Sequence, residues 1–104
     1  MSLRFLSRHL AFAVKNPRRA WATVKAMRLY AKEHPVCELT GMMPVEVHHI
    51  EPIEAAPEKA ADPTNFISLG ARKIHLVVGH AGNWKWHVEN VREICGMAKI
   101  SKRV

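Results

Sequence analysis

Residues 45–53 read VEVHHIEPI. The first six alternate and favour β-branched side chains, which predicts a strand over 45–50. Its oddity is a histidine pair, His48 and His49, set among aliphatic residues with Glu51 and Glu54 close behind. A regular strand sends neighbouring side chains to opposite faces. The two imidazoles therefore serve one site only if the chain bends, and Pro52 marks a place for it. An imidazole suits two jobs there. Its neutral nitrogen binds metal ions, and its ordinary pKa of about 6.5 suits a general base.

Working outward, EPIEAAPEKAADPT (51–64) carries three prolines and reads as a long loop, and NFISLG (65–70) as a second short strand. ARKIHLVVGH (71–80) fits a short helix ending near Gly79, and AGNWKW a turn. HVENVREICGMAKISK (87–102) fits a last helix with Gly96 inside it. The centre is a ββα unit with the histidine pair on its first strand, Asn65 at the start of the second and His75 on the helix. Upstream, HPVCELTGMMP (34–44) is a turn-rich connector. A helix is expected from about Pro17 to Glu33, with Asn16 as its N-cap and Pro35 as its stop. Leu3, Leu6 and Leu10 have helical spacing, so a further helix is expected over 3–14. The chain reads as one α+β domain of 104 residues.

Charge is distributed plus, minus, plus. Residues 1–32 hold eight bases and no acid, residues 33–62 seven acids and one base, and residues 63–104 seven bases and two acids, for a formal net charge of +7. Basic ends suit a polyanionic partner, nucleic acid first and a membrane surface second. An acidic middle makes sense if a cation sits there. Arg18, Lys25, Arg28 and Lys32 form a stripe on the expected helix, which reads as phosphate contact or as a solvated face. Cys37 and Cys95 follow no disulfide-rich pattern, so a reducing compartment is expected. No apolar run is long enough to cross a membrane. The Arg-rich, acid-free first 19 residues share their composition with mitochondrial transit peptides and with basic nucleic-acid-binding helices.

The phrases HPVCELTG (34–41), VHHIEPI (47–53), DPTNFISL (62–69), IHLVVGH (74–80) and GNWKW (82–86) together resemble the HNH endonucleases, the ββα-metal nucleases, and in particular small phage-encoded members. The resemblance spans about residues 30–87, over half the chain. It implies a basic helical region over 1–33, a ββα-metal core over 34–82 and a turn and helix over 83–104. It also implies metal-dependent hydrolysis of DNA phosphodiester bonds, leaving 5′-phosphate and 3′-hydroxyl ends. Carried over residue by residue, His48 and His75 are metal ligands and His49 is the general base. Asn65 holds the loop that aims the base. Some relatives add a third ligand four residues after the helix histidine. Here the next histidine is His80, five residues on and past Gly79. Five steps of an α-helix turn ~500°, or ~140° away from His75. His80 is then a ligand if the helix ends between them, and a phosphate contact otherwise.

The resemblance implies one divalent ion. Two imidazoles favour Mn, Ni, Co or Zn, while relatives often use Mg. DNA is the expected partner, held by its backbone through Arg18, Lys25, Arg28, Lys32, Arg72, Lys73 and Lys85, with low sequence selectivity. A terminase or other phage packaging protein is a second expected partner, and the cytoplasm of a phage-bearing bacterial host the expected location, with the mitochondrial matrix as the alternative. Relatives often carry a structural zinc on four cysteines. Here Cys37 stands without its partner, at Thr40, and GARKI (70–74) replaces the second pair, so no structural zinc is expected there. Packing by Trp21, Met42, Met43 and Phe66 is the expected substitute. Glu51 or Glu54 is a candidate for orienting a ligand imidazole. The competing reading is a non-enzymatic nucleic-acid-binding module, with His48, His75, His80 and Cys37 closing a zinc site.

Overall fold

A computed structural model describes residues 15–84 and 86–103, excluding the side chains of 99–103. The expected 3–14 helix and Lys85 lie outside the described residues. The rest is a small α+β domain. A long helix, Pro17–Glu33, is followed by β1 (Val45–His49), β2 (Phe66–Gly70), a π-helical turn (His75–Gly79) and a last helix (Val91–Arg103). None of the described helices is long and apolar enough to cross a membrane.

The long helix has its expected bounds. Pro17 takes the first turn, where its missing N–H costs nothing. Asn16 precedes it, but makes no side-chain capping bond. At the other end the N–H of His34 closes on the Tyr30 carbonyl at 2.7 Å before Pro35 stops the helix. Along the helix Thr23 is buried, its hydroxyl donating to the Arg19 carbonyl at 2.8 Å.

β1 and β2 pair antiparallel, with Val45 opposite Gly70 and His49 opposite Phe66. Each strand is one residue shorter than expected, yet the Ile50 N–H still donates to the Asn65 carbonyl at 2.8 Å. The two faces of β2 meet different partners. Phe66 packs edge-on to Tyr30 of the long helix, and the Ser68 hydroxyl donates to the His34 carbonyl at 2.7 Å. Ile67 and Leu69, on the other face, form the core with Val91 and Cys95 of the last helix. Val91 and Cys95 are four apart, so they share one helix face. The 51–64 loop holds two short 3₁₀ turns, Pro57–Lys59 and Pro63–Asn65. Asp62 caps the second, accepting from the Thr64 N–H at 2.9 Å and from its hydroxyl at 2.7 Å.

Two expectations are corrected. The last helix begins at Val91, not at residue 87. The chain before it is pinned to the π-helical turn instead, with the Val88 N–H on the Gly79 carbonyl at 2.9 Å. The helical segment there does end near Gly79 as expected, as a π turn with His80 at its C-cap. Second, Trp21, Met42 and Met43 are exposed, and only Phe66 is buried. The 34–44 connector is held by hydrogen bonds rather than by those side chains. The Gly41 N–H reaches the Cys37 carbonyl and the Cys37 N–H the Met42 carbonyl, both at 2.8 Å. Thr40 donates its N–H to Cys37 Sγ at 3.4 Å. Its hydroxyl accepts from the Met42 N–H at 3.2 Å.

Candidate metal centre

His48 and His49 do leave β1 on opposite faces. His49 lies opposite Phe66 and packs edge-on against its ring, while His48 lies opposite Ile67. Both nevertheless line one cavity, because that cavity wraps the end of β1 where the chain bends off at Ile50. His75, His80 and His87 complete its wall with Trp84, and the long helix contributes Met27. The cavity is ≈ 50 Å³. That accommodates an ion and a few waters, since one water needs roughly 10–15 Å³ by the same measure. A nucleotide does not fit inside, so any nucleic acid would bind across the mouth.

Four imidazoles converge. Ring centroids are 5.1 Å apart for His48 and His75, 4.8 Å for His48 and His80, and 4.5 Å for His48 and His87. The π turn accounts for His80. Its wider winding brings residues five apart onto one face, and such single turns recur at functional sites. His80, at the C-cap of that turn, thus joins His75, with their Nε2 atoms 3.1 Å apart. Gly79 permits the approach. A Cβ there would lie 2.8 Å from His48 Nδ1 and 3.1 Å from His75 Cδ2.

Proton placement shows what the cluster asks for. His75 Nδ1 faces Glu46 Oε1 at 3.3 Å, and His80 Nδ1 faces the Trp86 carbonyl at 2.7 Å. Both oxygens are acceptors, so each Nδ1 is the donor and a neutral ring carries its lone pair on Nε2. Those two lone pairs then point at one another. His48 Nδ1 lies 3.2 Å from the same His75 Nε2. His48 Nε2 is buried with no hydrogen-bond partner among the described residues. Lone pairs at such distances repel unless a cation lies between them. On His48 a proton serves poorly, since burial, then the imidazoles of His87, His75, His80 and His49, push its pKa down to about 2. A metal ion serves well. Two nitrogens bound tetrahedrally at about 2.05 Å lie about 3.3 Å apart, close to the observed spacings. The residues present therefore fit a divalent ion of the kind imidazoles prefer.

Two overlapping triads share His48 and His80. One is closed by His75 through the short contacts above. In the other, ligand atoms of His48, His80 and His87 all lie within 4.8 Å of one another. Sequence reasoning missed His87, because HVEN looked like the start of a helix. It also missed Glu46, although 46 and 48 share a face in any strand. Glu51, one of the two glutamates expected near a ligand, instead pairs with Lys59 at 2.8 Å.

His49 stands apart from the cluster. Its Nε2 donates to the Ala60 carbonyl at 2.8 Å, which fixes the neutral ring with its basic nitrogen at Nδ1. Asn65 ties the same loop from both ends. Its Oδ1 accepts from the Glu51 N–H at 2.7 Å, and its Nδ2 donates to the carbonyls of Glu51 at 3.0 Å and Lys59 at 3.2 Å.

Other expected residues are placed as follows. Arg18, Lys25, Arg28, Lys32, Arg72 and Lys73 are exposed. Trp84 is half-buried against the rings of His75 and His80. Cys37 is buried beside Gly70, whose partner across the ladder is Val45, at the other end of the hairpin from His49. That removes Cys37 from the imidazole cluster and corrects the Cys37-containing zinc site. No family model matches the chain, and no curated protein or solved structure matches it either.

Proposed function

We propose that the chain is a metal-dependent DNA endonuclease of the HNH type, with β1, β2 and the π-helical turn as its ββα-metal core. The observation that carries this reading is the division of labour at the end of β1. The Nε2 lone pairs of His75 and His80 meet beside His48 Nδ1, while the adjacent His49 is held separately with Nδ1 basic. His48, His75 and His80 would hold the ion. Glu46 keeps the His75 proton on Nδ1, and the Trp86 carbonyl does the same for His80, so that both present Nε2. A divalent ion held there would supply positive charge against the negative charge that builds on a phosphodiester as it is cut. His49 takes a proton from the attacking water at Nδ1. Asn65 keeps the base aimed by fixing Glu51 and Lys59 in the loop that also carries Ala60. The exposed bases of the long helix, with Arg72 and Lys73, hold the DNA backbone on either side of the cut. The products are 5′-phosphate and 3′-hydroxyl ends, and DNA packaging in a phage is the setting that fits the resemblance.

The test is supercoiled plasmid incubated with Mn²⁺, with and without chelator, for the parent chain and for His49→Ala. The parent nicks or linearises the plasmid only with metal. His49→Ala loses ~10²–10⁴-fold of the rate, the usual share of a general base, while still binding metal. Cleavage by His49→Ala at the parent rate sinks the assignment. One feature favours a second reading, a nucleic-acid-binding module with a closed zinc site. His87 offers a fourth imidazole, and structural zinc sites are four-coordinate whereas catalytic ones keep a position open.

A further inference from the structure

Four imidazoles sit where three suffice, and the fourth differs in kind. His48, His75 and His80 are buried and stand on a strand and a helical turn. His87 is half-buried and stands on a stretch without regular structure. That stretch is nevertheless held firmly. The Trp86 carbonyl accepts from His80 Nδ1 at 2.7 Å, and the Val88 N–H donates to the Gly79 carbonyl at 2.9 Å. The residue between these two anchors is His87. Its ring stacks on His48 at 4.5 Å with 21° between planes and meets His80 edge-on at 5.1 Å. Its Nε2 hydrogen-bonds the backbone carbonyl of His49, which leaves Nδ1 as the nitrogen with a lone pair. A ligand atom of His87 lies within 4.8 Å of those of His48 and His80. His48 Nε2 is also buried with no hydrogen-bond partner among the described residues.

We propose that His87 is a displaceable fourth metal ligand, which completes the site in the resting protein and gives up its place to a phosphate group. The choice of phosphate as the incoming group rests on the endonuclease reading, while the fourth ligand itself rests on the cluster alone. The surroundings say which ligand moves. His48 sits under Gly79 with no room to withdraw, and His75 and His80 are fixed through Glu46 and Trp86. The ring of His87 is the most exposed of the four and has only to turn about its own side-chain bonds between fixed ends. The strap carries two further contacts to the site: the His49 carbonyl and the His80 proton. Displacement of His87 thus reports directly to the residue proposed as base. A site of this kind resists loss of its ion and stray hydrolysis until a phosphate competes for it.

The test uses the full chain, Zn²⁺ and inorganic phosphate, with long-range ¹H–¹⁵N NMR of the imidazole nitrogens. Zn²⁺ should shift a ring nitrogen of His87 together with those of His48, His75 and His80. Saturating phosphate should return the His87 nitrogen towards its metal-free position and leave the other three. His87→Gln should bind Zn²⁺ about tenfold more weakly and should need less phosphate to saturate its response. The proposal fails if Zn²⁺ leaves His87 unshifted, and also if His87 shifts but saturating phosphate does not release it. The wild-type spectra decide this even if the variant does not fold. They are also independent of DNA cutting. An uncut plasmid with a phosphate-released His87 sinks the endonuclease reading and keeps this one; a cut plasmid with an unshifted His87 does the reverse.

Discussion

The two ends of the β1–β2 hairpin solve the same problem in opposite ways. At the Gly70 end, the 34–44 connector folds on itself, and its polar atoms find partners inside the protein. Cys37 Sγ accepts from Thr40, the Thr40 hydroxyl from Met42, and the backbone of 37–42 closes a tight turn. Burial pushes the Cys37 thiol up, but hydrogen bonds from Thr40, Gly70 and Leu39 outweigh it and bring it below its usual range. Nothing at that end asks for a cation. At the His49 end, the Nε2 lone pairs of His75 and His80 meet beside His48 Nδ1, and His48 Nε2 has no hydrogen-bond partner among the described residues. The lesson is that a need for metal is read from unmet hydrogen bonding, not from the presence of ligand-type residues. A cysteine with partners is a core residue. Histidines whose protons are held elsewhere are a site.

The largest test of this contrast is Gly79→Ala. Alanine is the better helix former by about 1 kcal/mol. Yet its Cβ would sit 2.8 Å from His48 Nδ1, a ring fixed by burial on all sides. The expected result is loss of metal affinity by about 100-fold, the upper range for disturbing a ligand's support. Gly96→Ala is the control. Its Cβ meets nothing within 4 Å, so it should stabilise the last helix by up to about 1 kcal/mol and leave metal binding alone. Calorimetric titration with Zn²⁺ measures both. Equal affinities in the two variants would mean that the helix does not set the geometry of the site.

A pH series on the metal-free protein gives a smaller effect. His48 has its folded pKa pushed down to about 2, chiefly by burial and then by its imidazole neighbours. In the unfolded chain it titrates at about 6.5. Between those values the unfolded chain holds one proton more than the folded one, so stability rises with pH. The contribution is complete above about pH 6.5 and falls by about 1.4 kcal/mol per pH unit below it. Denaturant titrations at pH 7, 6 and 5 should show that slope. His48→Asn, which takes up no proton in this range, should lessen it. A flat profile would remove the claim that His48 is held neutral.

Much of this was legible from the residues, and what was not has physical causes. Pro17, Pro35 and the alternation of VEVHHI set the long helix and β1 almost to the residue, because proline geometry and strand period act locally. Asn65 was legible through the resemblance, and its bonds to Glu51 and Lys59 give it a physical role. His80 was ambiguous because α-helical periodicity puts it on the wrong side of His75. A π turn is decided by tertiary contacts, here the fit of Gly79 against His48, and has no local pattern to read. His87 was misplaced for a related reason. The Val88 N–H donates to the Gly79 carbonyl, and the last helix begins only at Val91. The hydrogen bonds that hold the 34–44 connector were not legible either, since composition shows apolar bulk but not hydrogen bonds.

The smallest expected effect is the sharpest on the comparison. Cys37→Ala removes a buried thiol that packs 3.8 Å from where a Cβ on Gly70 would lie, and it takes away the acceptor for the Thr40 N–H. A neutral hydrogen bond of this kind and a small loss of packing are worth about 1 kcal/mol together. The turn is partly exposed, so water can take up the freed N–H and hold the cost down. Metal content and Zn²⁺ affinity should be unchanged, because Cys37 lies at the far end of the ladder from the imidazoles. The check is the variant's bound zinc per chain, set beside its midpoint in denaturant. A shifted midpoint with full zinc keeps the two ends separate, one closed by hydrogen bonds and one by an ion. A variant that folds but loses its zinc would join them, and Cys37 would then have to support the imidazole end through Gly70 and β2.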